Sequence, residues 1–137
     1  MWWIFALLSA FFAALTAIFA KVGIRGVDTD LATAIRTVVI LIIAWGIAFI
    51  RGGASTISTL SKQNLLFLCL SGVATGLSWI FYFKALQLGK VSQVAPVDKM
   101  SVAIAIVLAA VFLGEPLSLQ TSIGALLIIG GTIVLIF

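Results

Sequence analysis

The chain has 137 residues, of which 64% are hydrophobic and 9% charged, against about 25% charged residues in an average soluble domain. With a mean hydropathy of +1.34, this composition excludes an ordinary soluble domain and indicates an integral membrane protein. The net charge is +4 and histidine is absent, which removes Ser-His-Asp and Cys-His catalysis and histidine metal sites.

Five apolar blocks follow one another, at residues 2–20, 31–50, 65–83, 91–113 and 119–137. Each is near the ~20 helical residues that cross a bilayer core. Helices satisfy their own backbone polar groups in lipid, so the expected fold is an all-α integral membrane protein, a five-transmembrane-helix bundle. The connecting loops are too short for a soluble domain, and residues 1–137 are expected to form one transmembrane domain in the lipid bilayer.

The first block has no basic leading stretch, and its apolar run exceeds the roughly 7–15 residues of a signal-peptide core, so it is expected to be a membrane helix. Ala6, Ala10 and Ala14 recur at four-residue spacing, with Ser9, Ala13 and Ala17 in a parallel row. Such rows let helices approach closely, to pack helices within one subunit as expected or to form a dimer face. The second block carries Arg36 about five residues from its start. In the third, Gly72 and Gly76 form a GxxxG, and Gly124, Gly130 and Gly131 of the fifth block point to the same close packing. Cys69 is alone, so no disulfide within the chain or paired-cysteine metal motif exists. Trp79, Tyr82 and Phe83 close the third block at spacings of three and four, which lets them share a helix face. There they form an interfacial belt or, facing inward, a stacking surface for an organic substrate.

The fourth block places Asp98 and Lys99 seven or eight residues from its start, roughly 8–12 Å at the helical rise. At the bilayer centre the two would cost roughly 6 kcal/mol together, whereas the large apolar residues of the block return only about 5 kcal/mol. They therefore need an off-centre depth, water or partners. Neighbours in sequence project about 100° apart, so each is expected to find a different partner: Lys99 the headgroups by snorkelling, Asp98 an inward partner such as Arg36, Lys84 or a watery cavity. Pro96 removes no helical hydrogen bond if the helix begins near Ser92; with an earlier start it makes a break whose free carbonyls line a site. Arg36, Asp98 and Lys99 form either a structural ion network or part of a transport pathway.

Basic residues in short loops orient membrane helices. Lys21, Arg25, Lys84 and Lys90 fall on one side, Arg51 and Lys62 on the other, a bias of four to two. This predicts the N-terminus outside and the C-terminus in the cytoplasm of a multi-pass protein in the cell membrane, with insertion in both orientations as the alternative that so modest a bias leaves open.

The run YFKALQLGKVSQVAPVDK, the following VFLGEPLS and then SIGALLIIGGTIVLI resemble the EamA domain of the drug/metabolite transporter superfamily. The matching parts are Ala-Leu before a short loop, Ser-x-Val-Ala-Pro opening helix four, Leu-Gly-Glu at its end, and Ile-Gly with a later Gly pair in helix five. Lys21 and Arg36 also stand where the family usually has them, so the resemblance covers essentially the whole chain. It implies one five-helix repeat of a transporter commonly built from two. Two such repeats joined head to tail run in opposite directions through the membrane and support alternating access around a site at their interface. A single copy calls for a second subunit, an antiparallel homodimer or a heterodimer with a related chain.

The resulting expectation is a carrier of a small organic metabolite, amino-acid-like compound or drug, with Arg36, Trp79, Tyr82, Lys84, Pro96, Asp98 and Lys99 as candidate pathway residues. A non-transporting membrane assembly subunit and a flippase of a lipid-linked sugar are the alternatives. No cofactor, metal or nucleic-acid partner is expected, and no convergent acid, base and nucleophile marks an enzyme.

Overall fold

A computed structural model describes all residues, Met1–Phe137. The helices are α1 (Trp2–Gly23), α2 (Thr29–Ile50), α3 (Lys62–Leu88), α4 (Val91–Leu113) and α5 (Leu119–Ile136), with a short 3₁₀ helix, Gly53–Thr59, between α2 and α3. All five α-helices are long and apolar enough to cross a membrane. The fold is therefore the expected all-α arrangement of five membrane helices.

Helices α4 and α5 keep the bounds of their apolar blocks to within one residue, whereas α2 and α3 start earlier than theirs because polar caps set those ends. The Asp28 carboxylate accepts from the amides of Asp30 (3.0 Å) and Leu31 (2.9 Å), so α2 starts at Thr29 rather than at its first leucine. Asp30 in that first turn complements the helix dipole. In the same way Ser61 Oγ accepts from the Asn64 amide at 3.1 Å and adds the polar turn Lys62-Gln63-Asn64 to α3. At its other end α3 continues past Lys84, whose side chain is exposed, to Leu88. Helix α4 stops at Gly114, which takes the left-handed conformation with φ 68°; the Glu115 amide then reaches back to the Ala109 carbonyl at 3.3 Å. Ser118 caps α5 through the Thr121 amide at 3.0 Å.

The chain forms two compact units, residues 1–19 with 88–137, and residues 20–87. In the first, α4 and α5 pack together around Ala103 and Thr132, both buried. The Thr132 hydroxyl donates to the Ile128 carbonyl (2.8 Å) and lies 3.2 Å from the Pro96 carbonyl. The Gln93 amide donates to the Ile136 carbonyl at 3.4 Å. These contacts join the opening turns of α4 to the final turns of α5, as an antiparallel pair requires.

The second unit has its core at the start of α2 and the end of α3, where Ile24, Thr29, Thr33, Phe83 and Leu86 are buried. The Lys21 ammonium, in the last turn of α1, donates to the Leu86 carbonyl, and the Gln87 side chain donates to the Val27 carbonyl at 3.3 Å. A cation and an amide thus tie the α1–α2 connection to the C-terminal turn of α3, where helix carbonyls lack intrahelical donors.

Of the small residues expected to pack helices, Ala17 alone is buried. A Cβ added at Gly72, Gly76, Gly124, Gly130 or Gly131 meets nothing within 4 Å, and Ala6, Ser9, Ala10, Ala13 and Ala14 are exposed. Spacing alone identifies a face on which close approach is sterically permitted.

Candidate functional site

The second unit brings two of the predicted residues into direct contact. Arg36 is the eighth residue of α2, about 10 Å along it from Thr29. It shares a face with Thr33, one turn earlier, and with Ile40, one turn later. The Thr33 hydroxyl donates to the Thr29 carbonyl at 2.8 Å, so the Thr33 hydroxyl is satisfied within the helix.

Facing this stripe, α3 contributes Trp79, Phe83 and Leu86, related by helical spacings of four and three. The guanidinium carbon of Arg36 lies over the Trp79 ring, 4.3 Å from its centroid, and 5.1 Å from the centroid of Phe83. Both distances fall within the ~6 Å reach of cation–π attraction. Phe83 is only 2% exposed, which fixes one wall of the cluster, whereas Trp79 and Arg36 are half-buried and remain reachable. Tyr82 joins from the side, its ring tilted 37° to Phe83 with centroids 6.3 Å apart. No acidic side chain of the same unit pairs with Arg36; Asp28 is engaged in capping α2.

The aromatic group is not at the end of its helix. Closing the third block at residue 83 puts Trp79, Tyr82 and Phe83 at a boundary, but α3 runs five residues further to Leu88, about 8 Å. Lys84 follows Phe83 immediately and projects from another side of α3, where it is exposed. It stands outside the cluster.

Phe83 is the member that sequence reasoning left off the candidate set. Its spacing of four from Trp79 was the available signal, but an apolar ring in an apolar helix looks like any other lipid-facing or core residue. The buried Thr29 and Thr33 were also missed. Their regular spacing with Arg36 made a polar stripe on α2 that could have revealed the inward face.

In the first unit the expectation for Asp98 and Lys99 needs correction. They pair with each other, Lys99 Nζ to Asp98 Oδ2 at 3.2 Å, with side chains 57% and 34% exposed respectively. The angular argument treats side chains as rigid spokes; the four-carbon stem of lysine is long enough to bend back across 100°. Pro96 also departs from expectation. Helix α4 begins at Val91 with Lys90 as its cap, so Pro96 is the sixth helical residue and supplies no amide to the Ser92 carbonyl. The helix nevertheless continues unbroken to Leu113. Pro96's own carbonyl lies within hydrogen-bonding distance of the Thr132 hydroxyl.

An apolar groove of about 510 Å³ runs along α4 and α5, lined by Ala103, Val107, Leu117, Ala125, Leu126 and Ile129 among others. It holds no cluster of charged side chains. No group of three or more Cys, Asp or Glu side chains is placed to hold a metal ion.

Comparisons with known proteins agree with this architecture. The EamA-like transporter family matches residues 1–137. An uncharacterized transporter in the cobO 3'region of Sinorhizobium sp. is 47% identical over 134 residues, covering 98% of this chain and 95% of that protein. No solved structure gives a significant match.

Proposed function

Because the chain belongs to the EamA-like transporter family, we propose that it carries a small organic metabolite, amino-acid-like compound or drug across the cell membrane by alternating access, as a dimer. The observation that carries this reading is the Arg36 guanidinium against Trp79 and Phe83. Intramembrane ionisable groups are costly and commonly mark substrate routes, and a half-buried cation against aromatic rings offers both a charge and a stacking surface for an organic solute. Tyr82 completes that surface.

Asp98 and Lys99 are assigned to the edge of the pathway as a mutually neutralising pair, with Pro96 shaping the same stretch of α4. Their partial exposure along an apolar helix supports this, because paired charges at intermediate depth are stabilised by contact with water. Lys84 is assigned to the rim. The dimer is supported by the working principle of such folds, alternating access between two repeats. The open glycine faces of α3 and α5 leave room for close approach by a second subunit.

A proteoliposome assay tests the carrier reading. Purified protein should accelerate entry of at least one amino acid, organic acid or cationic drug over protein-free vesicles, and Asp98→Asn should slow that flux. Sidedness mapping of the two termini tests the assembly. Both orientations in one membrane support an antiparallel homodimer, whereas a single orientation with the N-terminus outside directs the search to a related partner chain.

The groove along α4 and α5 favours one other reading, flipping of a lipid-linked sugar. Its apolar lining suits an acyl or polyprenyl chain at a lateral opening. Flux of a fluorescent lipid-linked sugar analogue, with no flux of free solutes, would select that reading over the first.

A further inference from the structure

We propose that Arg36 receives the carboxylate of a monoanionic organic substrate, with Trp79 and Phe83 holding the guanidinium in a fixed orientation behind it. The assignment rests on the reading of this cluster as the substrate site and deepens it to a ligand class. Four observations carry it.

The guanidinium has rings against it, at 4.3 Å and 5.1 Å. Ring faces attract the cation but accept no strong hydrogen bonds, so its planar fork of N–H donors is not consumed by them. That fork matches the geometry of a carboxylate bidentately, and stacking reduces the side-chain freedom lost on binding.

The charge lies about 10 Å along a membrane helix and is half-buried. No acidic side chain of its unit pairs with it, since the acids there, Asp28 and Asp30, belong to the cap and first turn of α2. A desolvated cation without a counter-charge favours an incoming anion, and the neutral pair formed is better suited to an apolar surrounding than either ion alone.

One cation, Arg36, lies against the rings. Lys21 of the same unit donates to the Leu86 carbonyl, and Lys84 is exposed on another side of α3. A single cation neutralises a monocarboxylate, whereas a phosphate monoester dianion would leave an uncompensated charge at the same depth.

Finally, Trp79 is half-buried beside the guanidinium, with Tyr82 next to Phe83. An anion seated on Arg36 therefore meets aromatic surface, which selects a carboxylate attached to an apolar or planar body over a small inorganic anion.

Benzoate, benzamide, benzylamine and phenyl phosphate separate charge from shape. Titrated calorimetrically into the full chain in nanodiscs of zwitterionic lipid, benzoate is expected to bind at least about tenfold more tightly than the other three, the discrimination of one charge-assisted contact. Arg36→Gln should weaken benzoate by a similar factor, and Arg36→Lys by less. In the unmutated chain, benzoate but not benzamide should protect Arg36 from phenylglyoxal modification, read by peptide mass spectrometry, which removes dependence on the variants folding. Equal affinity for benzoate and benzamide, absence of benzoate binding at millimolar concentration, or equal protection by the two would overturn the proposal. Vesicle flux separates it from the carrier reading. Arg36-dependent benzoate binding without transport of any solute upholds the anion site and contradicts the carrier. Transport of neutral or cationic solutes with no effect of Arg36→Gln contradicts the anion site and upholds the carrier.

Discussion

The Arg36 guanidinium lies 4.3 Å from the centroid of the Trp79 ring, so a cation two turns into an apolar helix is matched by the π-face of the neighbouring helix instead of by an acid. This pairing attracts the charge while leaving its hydrogen-bond donors available. An internal salt bridge would have consumed them.

The coupling between these residues is measurable. In a double-mutant cycle with Arg36→Met and Trp79→Leu, read by thermal unfolding in detergent, the pair should show about 0.5–2 kcal/mol of interaction, the range for exposed to desolvated cation–π contacts. Additive single effects would place the guanidinium elsewhere. Trp79→Phe should retain part of the coupling, since a smaller ring presents a weaker face.

Asp98 and Lys99 form a close ion pair on α4, and two variants separate its structural role from its transport role. Asp98→Asn should impair transport and leave Lys99 without its counter-charge. Exchanging the two residues, Asp98→Lys with Lys99→Asp, restores the pair and should recover folded yield. If the carboxylate itself lies on the pathway, flux stays low in the exchanged protein. Recovery of both yield and flux assigns the pair to structure alone.

Pro96 occupies the second turn of α4 and withholds an amide from Ser92. Interior proline costs a helix about 3 kcal/mol in water, and neighbouring groups in a membrane protein reduce that cost. Pro96→Ala should therefore stabilise the chain by up to about 3 kcal/mol. A concurrent loss of flux would assign the freed Ser92 carbonyl to the pathway.

Gly114 ends α4 with φ 68°, a conformation that costs an L-residue about 1–2 kcal/mol. Gly114→Ala should lower the unfolding midpoint accordingly although a Cβ there meets no atom within 4 Å, a loss caused by backbone strain rather than by crowding.

The number and order of the helices were legible because each requires some twenty apolar residues, a signal strong enough to locate α1 to α5. Their ends were less so, since the cap at Asp28 and the polar first turn after Ser61 lie outside any apolar window. The site was partly legible. A charge such as Arg36 stands out in α2, and Trp79 and Tyr82 stand out as amphipathic rings. Phe83 did not, because polar and apolar residues are spread around α3 and hydrophobic periodicity cannot tell its inward face from its lipid face. Pairing was the least legible property. Spacing rules describe where side chains leave the helix and not where a flexible one ends, which is why the Asp98–Lys99 contact ran against expectation. Small-residue spacing likewise marked faces that this chain leaves open.

The most direct test of the central claim is solute flux into proteoliposomes containing the wild-type chain, Arg36→Gln or Trp79→Leu, each verified as folded and inserted. The account predicts carrier-mediated uptake by the wild type, a loss of about tenfold or more for Arg36→Gln and a smaller loss for Trp79→Leu. Wild-type vesicles no faster than protein-free ones, or Arg36→Gln vesicles as fast as wild type, would contradict it.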